Sequence, residues 1–257
     1  MTEQARFRST ERFGDRVDDY LRARPDYPPG VLRWLREAWG LRSGQSAADV
    51  GSGTGIWTRH LTDAGLEVTA IEPNDAMRRI AERLLAGSPR FRSVCGTAAA
   101  TTLEPTSVDW ITVAQAFHWF DPAESRREFT RILKPGGRVA LIWNNRRHDT
   151  PFGAAYETFV RDFATDYADV RHERVEADGT LDRFFGVRPA RAAFENHQRL
   201  DWEGLLRRCR SSSYMPGENH DRYAAMVGSL LTLFKRHEQA GRVSFDYETR
   251  VYVGSLV

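Results

Sequence analysis

The sequence predicts an α/β protein built on a doubly wound sheet that is mostly parallel, with an antiparallel strand at the C-terminal end. From residue 46 onward, short apolar runs alternate with stretches patterned like amphipathic helices. Several runs are apolar throughout, as expected for parallel strands that helices cover on both faces. The final stretch, VSFDYETRVYVGSLV, alternates apolar and polar residues as a terminal strand does.

The individual elements follow from these patterns. Strands are predicted at 46–50, 66–71, 90–94, 108–113, 138–143, 190–196 and in the final stretch. Helices are predicted at 56–64, 74–87, 122–133, 202–210 and 220–239. Asn74 or Asp75 can cap the second helix and Gly87 can end it, and residues 134–137, KPGG, predict a turn that ends the third.

The length of 257 residues suits one decorated domain or two small ones. We assign the whole chain to a single domain with four parts: a helical cap at 1–40, a ligand-binding core at 41–145, an inserted lid at 146–187, and C-terminal strands and helices at 188–257. The insert is aromatic, charged and irregular, and it is too short to hold a core of its own.

The composition of the chain limits which binding partners are expected. A net charge of +2 gives no reason to expect nucleic acid or an anionic membrane. Cys95 and Cys209 have neither CxxC nor metal-ligand spacing, so we expect a reduced setting and no metal. The first residues are polar, and no apolar segment approaches the roughly 20 residues that span a bilayer. We expect a soluble, cytoplasmic protein and leave its oligomeric state open.

A glycine-rich loop, DVGSGTG at 49–55, lies between the first predicted strand and the first predicted helix. Glycines there let the backbone approach a ligand at the carboxyl end of the sheet. Glu72 ends the second strand about 20 positions later, where a carboxylate can accept hydrogen bonds from both ribose hydroxyls of an adenosine-type ligand. The plainer alternative is a strand-to-helix turn with no ligand.

The spacing of the loop discriminates between adenosine ligands. Dinucleotide sites carry a third glycine where this sequence has Ile56. Asp49, two positions before Gly51, would repel a pyrophosphate but suits a ligand with an ammonium group. S-adenosylmethionine (SAM) is therefore favoured, and an NAD-type oxidoreductase is the alternative on fold alone.

The stretch AQAFHWFD at 114–121 follows the fourth strand and should lie beside the same ligand. Small Ala116 leaves room, and Gln115 can hold cofactor or substrate. An imidazole titrates near neutral pH, so His118 is a candidate general base. The competing interpretation is a structural histidine, with Trp119 as core or pocket wall.

Several motifs together carry a family resemblance. DVGSGTGIWT, IEPNDAM and RILKPGGRVALIW resemble class I SAM-dependent methyltransferases of the type 11 kind. AQAFHWFD, YLRARPDYP and WEGLLRRCRSSSYMP resemble one branch, the trans-aconitate methyltransferase-like enzymes that act on small molecules. The resemblance implies a Rossmann-like fold, SAM as cofactor with S-adenosylhomocysteine as product, and a small-molecule acceptor.

The resemblance also implies roles for individual residues. The methionine side of SAM would be held by the loop residues Asp49, Gly51, Ser52, Gly53 and Gly55. Glu72 would bind the ribose, with Pro73, Asn74 and Met77 along the adenine or ribose edge. Tyr20 and Arg24 would close over SAM, with Arg24 meeting its carboxylate. Relatives have Gly-Asp-Ala after the third strand; here the residues are Gly96, Thr97 and Ala98, which weakens the adenine contact.

The sequence does not decide which chemical group accepts the methyl group. A carboxylate acceptor needs no base, so an arginine would matter more than His118; a hydroxyl, amine or carbon of a metabolite or natural product would need the base. Trp119, Asn144 and Tyr214 are candidate substrate contacts, although Asn144 and Tyr214 also suit plain turns. Arg146, Arg147 and the scattered arginines of the insert predict a solvated face. One of these arginines could instead clamp an acidic substrate.

Two classes complete the alternatives. A non-catalytic SAM-binding protein would show the same cofactor motifs. Nucleic-acid methylation is disfavoured, because neither an N/D-P-P-Y/F motif nor a Pro-Cys motif follows the fourth strand.

Overall fold

The computed structural model describes residues 24–165, 178–212 and 214–256. Its helices are α1 Pro29–Trp39, α2 Ile56–Asp63, α3 Asp75–Leu85, α4 Pro122–Ile132, α5 Pro151–Phe163, α6 Thr180–Phe185, α7 Trp202–Arg210 and α8 Tyr223–His237. Its strands are β1 Ser46–Val50, β2 Glu67–Ile71, β3 Phe91–Val94, β4 Val108–Ala114, β5 Leu133–Arg146, β6 Ala190–Leu200 and β7 Val243–Gly254. Within the described residues, every helix is too short or too polar to cross a membrane.

The strands form one seven-stranded sheet in the order β3-β2-β1-β4-β5-β7-β6. The pairs from β3 to β5 are parallel, and β7 runs antiparallel to both β5 and β6. The predicted α/β fold is confirmed: the sheet is doubly wound, Rossmann-like and mostly parallel, with an antiparallel C-terminal strand. The predicted strands all form, and Asn74 caps α3 as one of the two candidates.

The strand order reverses where β1 meets β4. The chain builds outward from β1 to β2 and β3, then crosses back to place β4 on the other side of β1. In open α/β sheets a reversal of this kind leaves a crevice beyond the carboxyl ends of the two strands, and ligands bind there. The glycine loop follows β1 and the AQAFHWFD stretch follows β4, so both face this crevice.

Three apolar clusters hold the fold. The first covers one face of the sheet, where Val50 and Leu141 pack with Phe117 and Phe129. The second covers the opposite face and includes Trp57 of α2. The third joins α5, α7 and α8 to the first half of β7. The crevice at β1 and β4 therefore rests on a sheet that is buried on both sides.

Two predicted boundaries differ from the structure. The turn predicted at 134–137 lies inside β5, because Val108 pairs with Leu133 and Trp110 pairs with Arg138, leaving the intervening residues as a bulge. β6 continues to Leu200 rather than ending near 196, because it pairs with β7 along its whole length. Pairing with a neighbouring strand, which local sequence does not reveal, extends both elements.

The segment 146–187, predicted as a lid, contributes to two of the apolar clusters. Tyr156 of α5 is buried in the third cluster, and Phe184 of α6 lies with ring centroids 4.7 Å from Phe117 in the first. Its described parts thus pack on the rest of the chain. That the segment covers a ligand stays a prediction.

Candidate active site

The glycine loop is bound to the end of β2. The Gly51 and Ser52 amides both donate to the Ile71 carbonyl, at 2.8 and 3.2 Å. Gly51, Gly53 and Gly55 have φ values of +70°, +57° and +83°, which residues with a side chain rarely adopt. The loop residues 51–53 are partly exposed, and α2 begins directly after Gly55. The backbone of the loop is therefore open towards the crevice.

Glu72 connects the loop to the following helix. Its Oε2 accepts from the Gly53 amide at 2.9 Å, and its Oε1 accepts from the Asn74 amide at 2.8 Å. Burial raises the pKa of the Glu72 carboxyl, and those two backbone donors oppose the shift. A carboxylate oxygen has two lone pairs, so each oxygen keeps one for a hydroxyl donor.

Asp49 is fully buried beneath the loop. Its Oδ2 accepts from the Thr58 hydroxyl at 2.6 Å, and its Oδ1 accepts from the Thr112 hydroxyl at 3.0 Å. Burial raises the pKa of the Asp49 carboxyl to about 6, and the two threonine hydroxyls oppose that shift. The carboxyl group therefore contributes a buried charge and joins β1, α2 and β4.

Of the residues predicted along the adenine side, Met77 lies beside the glycine loop. Pro73 is exposed and Met77 is buried, with its Sδ 3.8 Å from the position that a Cβ on Gly53 would occupy. Thr97 forms a small turn after β3, exchanging backbone hydrogen bonds with Ala100. Ala98, within that turn, is buried.

The chain turns sharply after β4. Gln115 has a φ of +61°, its amide donates to the Ile142 carbonyl at 2.9 Å, and its side-chain Nε2 donates to the Asn144 carbonyl at 3.4 Å. A non-glycine residue in this conformation marks strain that surrounding structure holds in place. It directs the chain into a short 3₁₀ turn at Phe117–Trp119.

That turn contains His118 and follows directly after the residue that contacts Gly51. Phe117 is buried in the first cluster, whereas His118 and Trp119 are half-buried, with ring centroids 4.8 Å apart. Ala116, directly before the turn, is buried and adjacent to Gly51. The structure thus brings together the glycine loop, Glu72 and the stretch after β4, as the sequence predicted.

The predicted N-terminal pair is only partly described. Tyr20 lies outside the described residues. The Arg24 Nη2 donates to the Ser211 carbonyl at 2.9 Å, which joins the N-terminal segment to the residues after α7. The Asp26 carboxylate pairs with Arg59 and His60 of α2. These contacts hold the segment against the helix that begins at the glycine loop.

Asn144 is buried and fully engaged with the protein. Its Oδ1 accepts from the Thr249 hydroxyl at 2.5 Å and from the Asn196 amide at 3.2 Å, and its Nδ2 donates to the Asp26 carbonyl at 3.4 Å. It therefore joins β5, β7 and β6 to the N-terminal segment. Its predicted role as a substrate contact stays a prediction.

A cluster of cations lies beyond the carboxyl end of β5. Arg146 has a side chain only 10% exposed, and its Nη2 is 2.6 Å from the Glu157 Oε2. Arg146 is thus largely buried with its partner, whereas the side chain of Arg147 is 41% exposed and pairs with Asp149 at the surface. Burial opposes the shift, but the charges of Arg146, Arg208 and Arg24 lower the pKa of Tyr214.

Arg208 is the functional candidate that sequence reasoning missed. It lies on α7 with 6% of its surface exposed. A signal was present, because Leu205, Arg208 and Cys209 share one face of the helix at three- and four-residue spacing. That pattern places an arginine on the buried face.

Part of the chain matches the model of a known protein family. Residues 48–141 match the family model described as a methyltransferase domain. This stretch runs from β1 into β5 and contains the glycine loop, Glu72 and His118. The matched stretch forms the part of the Rossmann-like sheet that carries the strand reversal and the crevice, so this part of the chain is similar to methyltransferase domains.

Two curated relatives are similar to about half of the chain. An uncharacterized methyltransferase of Mycobacterium tuberculosis is 42% identical over 134 residues, 52% of this chain and 52% of the relative. A demethylmenaquinone methyltransferase of Renibacterium salmoninarum is 28% identical over 132 residues, 50% of this chain and 54% of the relative. The chain spans about half the length of the curated relatives it matches.

A solved structure agrees over nearly the whole fold. It is described as a type II methyltransferase from Anaeromyxobacter dehalogenans, and it superposes with a TM-score of 0.63 at 22% identity, covering 91% of this chain and 98% of that chain. At that identity the likeness shows the shared architecture.

Proposed function

We propose that this protein transfers the methyl group of SAM to a small-molecule acceptor. The observation that carries the proposal is the crevice between β1 and β4, where Glu72 accepts from the Gly53 amide and the loop lies against Ala116. A ligand on the loop would therefore lie directly beside the turn that presents His118. The methyltransferase match over 48–141 supports the same conclusion.

The residues at the crevice suit the parts of SAM. The open amides of the loop and the remaining lone pairs of Glu72 suit the polar main chain and the ribose hydroxyls. Thr97 and Ala98 are proposed to border the adenine, with Pro73 and Met77. Arg24 is proposed to meet the carboxylate of SAM, together with Tyr20.

Asp49 is proposed to act on SAM through its charge. Both its oxygens already accept threonine hydroxyls, so a direct contact with the ammonium group is not required. A buried carboxylate interacts strongly with nearby cations because few water molecules screen it. The same charge disfavours a pyrophosphate at the loop.

When bound, SAM supplies an electrophilic methyl group. The chain's own task is then to orient an acceptor in line with that group, exclude water and accept a proton where the acceptor carries one. Gln115 and Ala116 are proposed neighbours of the methyl group. His118 is the proposed base, and Trp119 and Tyr214 are proposed to border the acceptor, with the segment 146–187 as its cover.

The acceptor class has two forms. One relative is named for demethylmenaquinone methylation, which supports a small molecule. The resemblance of AQAFHWFD and YLRARPDYP to trans-aconitate methyltransferases supports a carboxylate, whereas the half-buried His118 supports an acceptor that loses a proton. We favour the second form, for the reason given in the next subsection.

Calorimetry and label transfer test the proposal. The protein is titrated with SAM and with NAD, then incubated with methyl-labelled SAM and a panel of small hydroxy, amino and carboxylic acids. Binding of SAM but not NAD, followed by label in an acceptor, is expected. Binding of NAD would favour an oxidoreductase, and tight SAM binding without transfer to any acceptor would favour a regulatory protein.

A further inference from the structure

Arg208 is a buried cation whose partners are neutral. Its Nε donates to the Tyr247 hydroxyl at 3.1 Å, and its Nη1 donates to the Ser212 hydroxyl at 3.1 Å. Its guanidinium carbon lies 5.4 Å from the centre of the Phe245 ring. Among the residues that the structure describes, no carboxylate pairs with Arg208. The Nη2 atom of Arg208 donates a hydrogen bond to none of the described residues.

This arrangement contrasts with the neighbouring arginine. Arg146 is also buried, but Glu157 balances its charge. Removing a charge from water costs several kcal/mol unless an opposite charge or a full set of hydrogen bonds replaces the water. Arg208 lacks the opposite charge, so this part of the molecule carries a positive potential. Burial raises the pKa of Tyr214, but the charges of Arg146 and Arg208 are the two largest causes that lower it, so both arginines act on this region.

The strand position of Tyr247, whose hydroxyl accepts from Arg208, lies away from the strand position of Gln115. Gln115 joins the sheet at Ile142, whereas Tyr247, which binds Arg208, pairs with Arg146. That difference is about 13 Å along the strands and about 10 Å across them from β4 to β7. This offset between the two backbone positions suits an acceptor that carries two separate functional groups.

We propose that Arg208, held in position by the Tyr247 and Ser212 hydroxyls that accept from it, binds an oxyanion on the acceptor that is distinct from the atom that is methylated. The inference rests on the proposed methyl transfer and specifies its acceptor: an elongated molecule with a carboxylate-like group at one end and a neutral nucleophile at the other. The planar guanidinium suits such an oxyanion because its N–H donors lie in one plane. Methylation leaves this anionic group free, so the product keeps its negative charge.

The wild-type protein tests the inference first. It is assayed with labelled SAM on aromatic hydroxy and amino acids of increasing length, each paired with its primary amide. We expect kcat/KM to favour the acid over its amide by on the order of tenfold or more, the difference that a charged hydrogen bond makes. Equal rates for acid and amide would overturn the inference while leaving methyl transfer intact.

The charge and alkali stability of the labelled product test independently whether the methyl group is on the carboxylate. We expect the labelled product to bind an anion-exchange resin at neutral pH and to keep its label in mild alkali, because the methyl group is not on the carboxylate. Release of the label by alkali would indicate a carboxyl methyl ester and would overturn the separation of the two groups. Absence of any labelled product would contradict the proposed function itself, and the inference with it.

Arg208→Met tests the residue, with Arg210→Met as the matched control. Arg210 lies on the same helix and is paired with Glu218, so its replacement removes the same charge without touching the cluster. We expect Arg208→Met to raise KM for the acid about tenfold, abolish the preference over the amide and leave the Kd for SAM unchanged. An unchanged preference in Arg208→Met would overturn the assignment.

Thermal unfolding distinguishes binding from a structural role. Replacing a buried unpaired cation by an apolar side chain of similar length is often neutral or stabilising, so we expect the Tm of Arg208→Met to be no lower than that of the wild type. If the variant does not fold, the acid-to-amide ratio of the wild type and of Arg208→Lys decides the question. Arg208→Lys keeps the charge and should keep part of the preference.

Discussion

Gly51 and Ala116 are in such close contact that a Cβ added to Gly51 would lie 2.5 Å from the Ala116 Cβ. The same added atom would lie 3.2 Å from the Phe120 Cζ. The loop after β1 and the turn after β4 therefore touch at the base of the crevice. Since the cofactor residues and the candidate base come from these two segments, their contact sets the distance between the two halves of the proposed site.

Replacing Gly51 by alanine should disrupt this contact. The change adds a methyl group where Ala116 leaves no space, in a residue with a φ of +70°. We expect the Kd for SAM to rise at least about tenfold and the free energy of unfolding to fall by about 1–3 kcal/mol. Calorimetry and thermal unfolding measure the two effects.

Gly40→Ala provides the matched control. Gly40 ends α1 with a φ of +72°, but no atom lies within 4 Å of its added Cβ. It therefore reports the backbone strain without the clash. Equal SAM affinities in the two variants would show that the contact between Gly51 and Ala116 does not shape the cofactor site.

Glu72→Gln should weaken SAM binding without unfolding the protein. Glutamine has one acceptor oxygen, so its amide NH₂ would face one of the two backbone N–H groups that Glu72 now accepts. We expect a rise of about tenfold or more in the Kd for SAM. Glu67→Gln is the control, because Glu67 is exposed on β2. A Kd equal to that of the wild type would remove Glu72 from the cofactor site.

Asp49 predicts a specific pH dependence of stability. Burial raises its pKa from 3.8 to about 6 in the folded protein, so between those values the folded state holds a proton that the unfolded state has lost. Stability from this group is therefore complete below pH 3.8 and is lost as the pH rises through 6. The charged carboxylate lowers the free energy of unfolding at neutral pH by about 3 kcal/mol.

Asp49→Asn should reveal that contribution. We expect the variant to unfold at a higher temperature than the wild type at pH 8, with the difference shrinking as the pH is lowered from 7 to 4.5. The same variant should bind SAM more weakly, because the charge near its ammonium group is gone. Asp63→Asn, at an exposed position, should show neither effect. A difference in Tm that does not vary with pH would contradict the prediction.

His118→Ala should separate binding from proton transfer. If His118 accepts the acceptor's proton, kcat should fall by roughly a hundredfold while the Kd for SAM stays unchanged. His197→Ala, at an exposed position on β6, is the control. Turnover equal to that of the wild type would remove His118 as the base, and the acceptor would then be one that is already ionised.

Local patterns in the sequence were sufficient for the fold and for the placement of Glu72 beside the glycine loop. Periodicity predicted the strands, and the alternation of strands and helices predicted a mostly parallel sheet. The glycines at 51, 53 and 55 indicate positive φ values, because few residues other than glycine adopt such values. Glu72 was placed correctly relative to the loop because the end of β2 lies next to the end of β1 in a parallel sheet.

Burial and charge pairing, by contrast, depend on residues far apart in the chain. Arg146 was predicted on a solvated face but is buried, because α5 supplies Glu157 to balance it. The neutral environment of Arg208 arises where α7 packs on β7, and the sequence around Arg208 shows no sign of Tyr247. Such contacts require the packing of whole elements, so the conformation of the glycine loop was predictable from a short motif, whereas the surroundings of Arg208 became visible only in the folded chain.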